Sequence, residues 1–489
     1  MSPISFTEFY NTIAGKNRSS SNQFQAVDPS DETLLWKVPV ATAEDLNDAV
    51  ISAQKAFKSW SKTPWEQRQS ILTQLHDELL SHQAKLVTII MKEAGKPAHT
   101  AALEVNNAAT SLKYHAQETE PLEETIQDDD AIVLTQRFLP RGIVGAISPW
   151  NFPLILSMGK ISAALITGNC IIVKPSPFTP YAVLKFVEIA QNFLPPGVLQ
   201  TLNGDDKLGP LMTEHPGIDM ISFTGSTATG RRVMMSASKT LKHVTLELGG
   251  NSASIICPDV DIMTVAGQVA VGTFFNSGQL CVASKRLYVH QDIYEQFLVA
   301  IAQIVKSWKV GPASVQGTVL GPVQNQMQYK VVKSILEDSL ANDHKFILGG
   351  ASSLSSQKGF TIQPAIVENP PHTSRIVTEE QFGPIVPIMP WSTEEEVISK
   401  VNDTETGLGG AVWSADLDRA KRIAREIESG TIWINSFEKP LSQAYFQGFK
   451  QSGVGGEGGR YGLLTYMNVQ TTHIYKESVA PKPAAKASL

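Results

Sequence analysis

Cys281 lies in the run FFNSGQLCVAS, just past a Ser277-Gly278 break that closes a helical stretch over 261–275. A cysteine beyond a glycine turn can be exposed, with backbone amides near its sulfur; such amides favour the thiolate and stabilise an oxyanion formed beside it. That is the equipment of a nucleophile, although free cysteine is otherwise a small buried hydrophobe. Cys170, beside an Ile-Ile-Val run, and Cys257, before Pro258, take the buried reading. Glu247, in VTLELGGNS, sits in an apolar run; a carboxylate there is either a paired structural acid or one whose pKa burial has raised, as a general base requires. Asn151, in PWNFP, is either a turn-forming residue or an amide donor held between two prolines. FTGSTATG places Gly225 at a strand-to-helix turn, where helix N-terminal amides attract a pyrophosphate; it lacks the G-x-G-x-x-G fingerprint, and such a turn also serves as plain connection.

These residues need a scaffold, and the pattern supplies one. Between 143 and 248, short β-rich runs (143–148, 170–174, 198–203, 219–224, 244–248) alternate with helical stretches near 154–166, 180–193, 206–214 and 227–238. That alternation predicts a doubly wound parallel sheet, with Lys174, Asn203 and Thr224 at the strand ends where a nucleotide binds. A second α/β unit follows, with strands at 252–257, 285–290, 361–367, 385–389, 410–413 and 431–435 and helices near 292–307, 394–402 and 416–428. The region 43–117 reads as helical, opening on a Thr/Asp cap in TAEDLNDAV. Segment 121–140 (acidic, then strand-like) fits neither unit and reads as a hairpin seeking a partner surface, while the tail SVAPKPAAKASL has the composition of a fraying end.

At 489 residues the chain exceeds one core's growth limit. A net charge of −6 without a basic run argues against nucleic acid as a partner, and no apolar run is long enough for a membrane span. Three cysteines fit a reducing compartment, the first residues carry no secretory or transit pattern, and the final Ala487-Ser488-Leu489 lacks the basic residue of a peroxisomal address. The expected location is cytoplasmic, and no metal site is expected.

The motifs SPWNFP, KPSPFTP, LPPGVL, FTGSTATG, LELGGN, SGQLC, EEQFGP and GFKQSG occur here in order, with ATAEDLNDAV and KTPWEQR before them. Over nearly its whole length the chain resembles the aldehyde dehydrogenase superfamily, in its non-acylating, NAD(P)-dependent branch. The resemblance implies an α/β fold with a discontinuous coenzyme domain (1–120 and 141–246), a catalytic domain (247–445), and a small β oligomerisation arm with the C-terminal tail (121–140 and 446–489). It implies oxidation of an aldehyde to the acid, with Cys281 as nucleophile, Asn151 and the Cys281 amide holding the oxyanion, Glu247 activating water, and Lys160 on the proton path. Thioester chemistry suits a thiol, since one sulfur adduct first expels hydride and then leaves readily. The dinucleotide would rest on Trp150, Lys174, Ser176, Gly204, Gly225, Ser226, Gly249, Glu380 and Phe382. NAD is the expected cofactor, with NADP possible, and a homodimer or homotetramer the expected assembly.

Two departures bear on specificity. Many NAD-preferring members carry a glutamate three residues after the lysine of the KP motif; here Pro177 stands there, and no acid lies between Lys174 and Pro180 to repel a 2′-phosphate. Where bulky aromatics often line the substrate funnel this chain reads LSMGK, so Gly159 should leave room, with Phe446 and Trp150 as apolar walls of a pocket for aromatic or medium-chain aldehydes. The rival readings are a coenzyme-A-acylating semialdehyde dehydrogenase, which Glu247 disfavours, and a silent structural relative, which Cys281, Asn151 and Glu247 together disfavour.

Overall fold

The computed structural model describes residues 4–354, 358–437 and 439–477; the tail expected to fray lies outside them from 478 onward. Its larger sheet has eight strands in the order Lys16–Arg18, Asn11–Ile13, Leu199–Thr201, Cys170–Lys174, Ile143–Ile147, Met220–Thr224, His243–Glu247 and Gly453–Val454. The central five are mutually parallel. They run third, second, first, fourth, fifth in chain order, so the strand order reverses between Ile143–Ile147 and Met220–Thr224, the place where such sheets bind ligands. Ile171, Ile172 and Val173 are fully buried because helices cover both faces, which is why this strand reads as an unbroken apolar run. One covering helix, Pro153–Ile166, is buried almost all round and carries Gly159 and Lys160.

The second sheet has seven strands, in the order Lys345–Leu348, Ala365–Glu368, Ile385–Trp391, Arg286–His290, Ala253–Ile256, Gly409–Trp413 and Thr431–Ile434. All its pairings are parallel except that of the edge strand Lys345–Leu348. The sequence reading places neither that strand nor the helix Gln326–Ala341 before it. The helical region is four helices spanning Ala43–Gln117, and its first helix is closed by a capping box in which Thr42 and Asp45 satisfy each other's backbone N–H.

A separate three-stranded sheet joins Glu124–Asp128, Ile132–Pro140 and Met467–Tyr475, so the hairpin meets the strand near the chain end in a nine-residue antiparallel ladder. Of the span 446–489, expected to form the arm together with the C-terminal tail, the strand Met467–Tyr475 is the part that pairs with the hairpin. Ahead of it, Phe446–Gln447 pairs with Gly456–Glu457 and Phe449–Lys450 with Thr406–Gly407, and Gly453 and Val454 pair with Glu247 and Leu246 at the edge of the larger sheet, where the Leu248 N–H donates to the Ser452 carbonyl at 2.9 Å. Without them the outermost parallel strand, His243–Glu247, would carry an open edge beside a buried carboxylate. No helix among the described residues is long and apolar enough to cross a membrane.

Candidate active site

The helix Ile262–Phe274 ends above the second sheet, and the chain then turns through three consecutive left-handed residues, Asn276 (φ 52°), Ser277 (φ 56°) and Gly278 (φ 72°). Left-handed backbone costs a non-glycine residue on the order of 1–2 kcal/mol, so the surroundings must hold this turn. Ser277 Oγ donates to the Gly321 carbonyl at 2.7 Å, and Gln279 accepts the Gln324 N–H at 2.8 Å. Glycine is required at 278, since a Cβ there would lie 2.2 Å from the Gly383 carbonyl oxygen. The turn delivers Cys281 half-buried, while Cys170 and Cys257 are sealed in two separate hydrophobic cores.

Burial pushes the Cys281 thiol up to about 11; Lys285 and the Val282 N–H pull against that, and Glu380 and Glu247 add to it. The Val282 amide acts in the direction expected of backbone N–H groups near the sulfur, and burial opposes it. In the protein alone, desolvation and two carboxylates outweigh one amide and one ammonium.

Asn151 and Asn276 interlock beside this turn. Asn151 Nδ2 donates to the Gln279 carbonyl at 3.1 Å, and Asn276 Nδ2 donates to the Asn151 and Gln279 carbonyls at 3.2 and 3.3 Å. The neighbouring rings, Phe152 and Phe275, stack at 6.2 Å with an 18° interplanar angle. The turn that carries Cys281 and the loop before the helix Pro153–Ile166 are thus one packed unit.

Glu247 ends its strand 5% exposed, and among the described residues neither carboxylate oxygen has a hydrogen-bond partner. Burial and the neighbouring Glu457 charge hold its pKa well above the usual carboxylate range, against the pull of Lys160. Lys160, fully buried, donates to Thr224 Oγ1 at 2.8 Å and pairs with Glu457, which also accepts from Ser222 Oγ at 3.0 Å. Glu457 escaped the sequence reading because it lies in a glycine-rich stretch, GVGGEGGR, that carries no periodicity. A Cβ on Gly159 would meet only Glu457 Oε2, at 3.9 Å, and Phe446 pairs in register with Glu457, so both lie beside Glu457.

The residues assigned to the dinucleotide gather at the ends of the parallel strands. Ser226 caps the helix Thr227–Ala237 by accepting the Thr229 N–H, and Gly225 donates its N–H to the Glu247 carbonyl at 3.0 Å. Lys174, nearly buried, is lowered to about 8 by burial, against the pull of Asp206 and Asp205. Ser176 is also nearly buried, and its Oγ accepts the Phe178 N–H at 3.3 Å. Gly204 follows the strand Leu199–Thr201 and packs on Leu208. Trp150 meets Phe382 edge-on at 5.4 Å. Gly249 lets the Glu380 carboxylate sit close, since a Cβ there would stand 2.3 Å from Glu380 Oε2 and push that side chain aside. An exposed helix N-terminus, a buried lysine at a strand end and a carboxylate seated over glycine suit phosphate, ribose hydroxyl and ribose hydroxyl in turn, so the residues fit a dinucleotide.

A family model described as "Aldehyde dehydrogenase family" matches residues 16–472. The chain belongs to the aldehyde dehydrogenase family. It is 44% identical over 473 residues to the putative aldehyde dehydrogenase FUS7 of Gibberella moniliformis, covering 97% of this chain and 100% of that protein. Among solved structures it is similar to the NAD+ complex of an aldehyde dehydrogenase from Bacillus cereus (TM-score 0.93, 32% identity, 96% of this chain and 97% of the other). It is equally similar to an E. coli NADP-dependent enzyme (TM-score 0.93, 30% identity, 96% and 98%). In this aldehyde dehydrogenase family member, Cys281 is half-buried, Asn151 bonds to the Gln279 carbonyl of the same turn, and the buried Glu247 acts electrostatically on the thiol.

Proposed function

We propose that this enzyme oxidises aromatic or medium-chain aldehydes to their carboxylic acids with a nicotinamide dinucleotide, NAD in preference to NADP. Cys281 adds to the carbonyl carbon, and the Asn151 side chain turns its amide from the Gln279 carbonyl toward the oxyanion, assisted by the Cys281 N–H. The dinucleotide, held by the residues named above, supplies a hydride acceptor when bound. Glu247 then takes a proton from water as the water attacks the thioester, and Lys160 with Glu457 carries that proton away from the cleft. One observation carries the hydrolytic reading: a buried carboxylate with both oxygens unpartnered among the described residues is a base awaiting water. An acylating enzyme, whose thioester goes to a thiol, has no use for it.

Cofactor choice follows from charge. Pro177 removes the usual repelling carboxylate, yet the charges of Asp205 and Asp206, past the end of the neighbouring strand, act on Lys174 and would oppose a 2′-phosphate. Replacing both by asparagine should raise kcat/KM for NADP several-fold and leave that for NAD within about twofold. A double variant with the parent's cofactor ratio would remove these aspartates from cofactor selection.

Substrate preference follows from the space at Gly159. Burying a methylene contributes about 0.8 kcal/mol, so four extra methylenes should favour hexanal over acetaldehyde by on the order of 100-fold in kcat/KM. An initial-rate panel of aliphatic and aromatic aldehydes measures this directly, and acetaldehyde ranking above both groups would overturn the wide apolar pocket. Three unpaired thiols suit a cytoplasmic setting. The exposed edge of Met467–Tyr475, unpaired on its outer side among the described residues, suits assembly with further copies of the chain.

A further inference from the structure

Lys285 opens the strand Arg286–His290 only four residues beyond the nucleophile, and it is 3% exposed. Burying an ammonium is costly unless each of its three N–H donors finds an acceptor. Lys285 finds three. Its Nζ lies 2.8 Å from the Leu280 carbonyl, 2.6 Å from the Cys281 carbonyl and 3.0 Å from Glu380 Oε1. The Phe382 ring stands 5.6 Å from the same nitrogen, and Glu380 also accepts the Gly250 N–H at 3.3 Å. One buried cation thus joins the backbone of the nucleophile, the carboxylate assigned to the nicotinamide ribose, and, through Glu380, the glycine pair that follows Glu247.

We propose that Lys285 is a positioning residue that sets both halves of the reaction: it fixes the Leu280–Cys281 backbone, keeps Cys281 reactive, and aims Glu380 at the dinucleotide. This rests on reading Cys281 as the nucleophile and Glu380 as the ribose ligand. The charges facing the thiol are Lys285 on its own segment, Glu380 on the loop that carries Phe382, and Glu247 at the end of the strand His243–Glu247. Lys285 is the cation of this set, so removing it leaves the thiol between two carboxylates. The thiolate fraction at any given pH must then fall. The fixed carbonyls and the aimed carboxylate must loosen together, because one ammonium holds them.

Lys285→Met keeps the length and apolar stem of the side chain and removes the charge; Lys285→Arg keeps the charge. Two readouts need no turnover: the pH dependence of iodoacetamide alkylation of Cys281 without dinucleotide, and equilibrium binding of NAD followed by protein fluorescence. Lys285→Met should alkylate about 10-fold more slowly below the midpoint, the equivalent of one pH unit upward, and bind NAD several-fold more weakly. Lys285→Arg should restore alkylation to within about twofold. Parental alkylation and NAD binding in Lys285→Met would reduce the lysine to a space-filler and overturn the proposal. Should the methionine variant fail to fold, Glu380→Gln tests the same link from its other end, since loss of that anion must move the alkylation midpoint down; an unmoved midpoint overturns the proposal. Failure of the underlying reading looks different: alkylation of Cys281 would then leave turnover intact in the parent enzyme.

Discussion

Cys281→Ala is expected to abolish aldehyde oxidation, lowering kcat by at least about ten-thousand-fold, while NAD binding stays within about twofold of the parent. Loss of a covalent nucleophile removes a whole reaction path, and orientation of the substrate alone does not replace it. Binding survives because residues outside the cysteine turn, Ser226, Lys174 and Glu380 among them, are assigned to the dinucleotide. Steady-state rates with a fluorescence titration check both halves. The alkylation profile of the parent has a definite sign: with the thiol pushed up to about 11 in the protein alone, alkylation should still be climbing steeply at pH 9. A plateau by pH 7 would mean that the cation beside Cys281 outweighs burial.

The second large effect concerns water. Glu247→Gln should retain a rapid first turnover, seen as a burst of NADH, and then run about 10²–10⁴-fold more slowly than the parent. The amide cannot take a proton from water, yet addition of the thiol and loss of hydride do not require it. The pH profile carries the same information. Glu247 acts as a base only when ionised, and burial with the Glu457 charge raises its pKa well above the usual carboxylate range. Parental turnover should therefore rise with pH along a limb displaced upward from that range, and the glutamine variant should lose the limb. Equal steady-state rates in the two proteins at neutral pH would assign water activation to another group.

What the sequence made legible depended on how local each signal is. Cys170–Lys174 was readable to the residue because a buried parallel strand, flanked by Asn169 and Pro175, shows as a continuous β-branched run. The helix Gln326–Ala341 carries a local signal: Asn325 caps it, and Val332, Ile335, Leu336 and Ser339 form its buried stripe. The short N-terminal strands Asn11–Ile13 and Lys16–Arg18 had no such signal, being three residues each and largely polar.

The site divides in the same way. Cys281, Glu247 and Asn151 announce themselves through local motifs, whereas Glu457, Asp205, Asp206 and Lys285 acquire meaning only from what folding sets opposite them. Glu457 reaches Lys160 across 297 residues of chain, a pairing no local pattern encodes. The thiol's raised pKa was equally hidden, because it comes first from burial in the folded chain and then from Glu380 and Glu247, which arrive from two other segments.

The identity of the nucleophile is open to direct capture. Glu247→Gln protein mixed with NAD and hexanal, quenched during the burst and digested, should give a peptide containing Cys281 whose mass is increased by one hexanoyl group. The peptides of Cys170 and Cys257 should stay unmodified, as their burial in the two cores requires. A burst of NADH with no acyl group on Cys281, or with the acyl group on either other cysteine, would contradict covalent catalysis by this thiol.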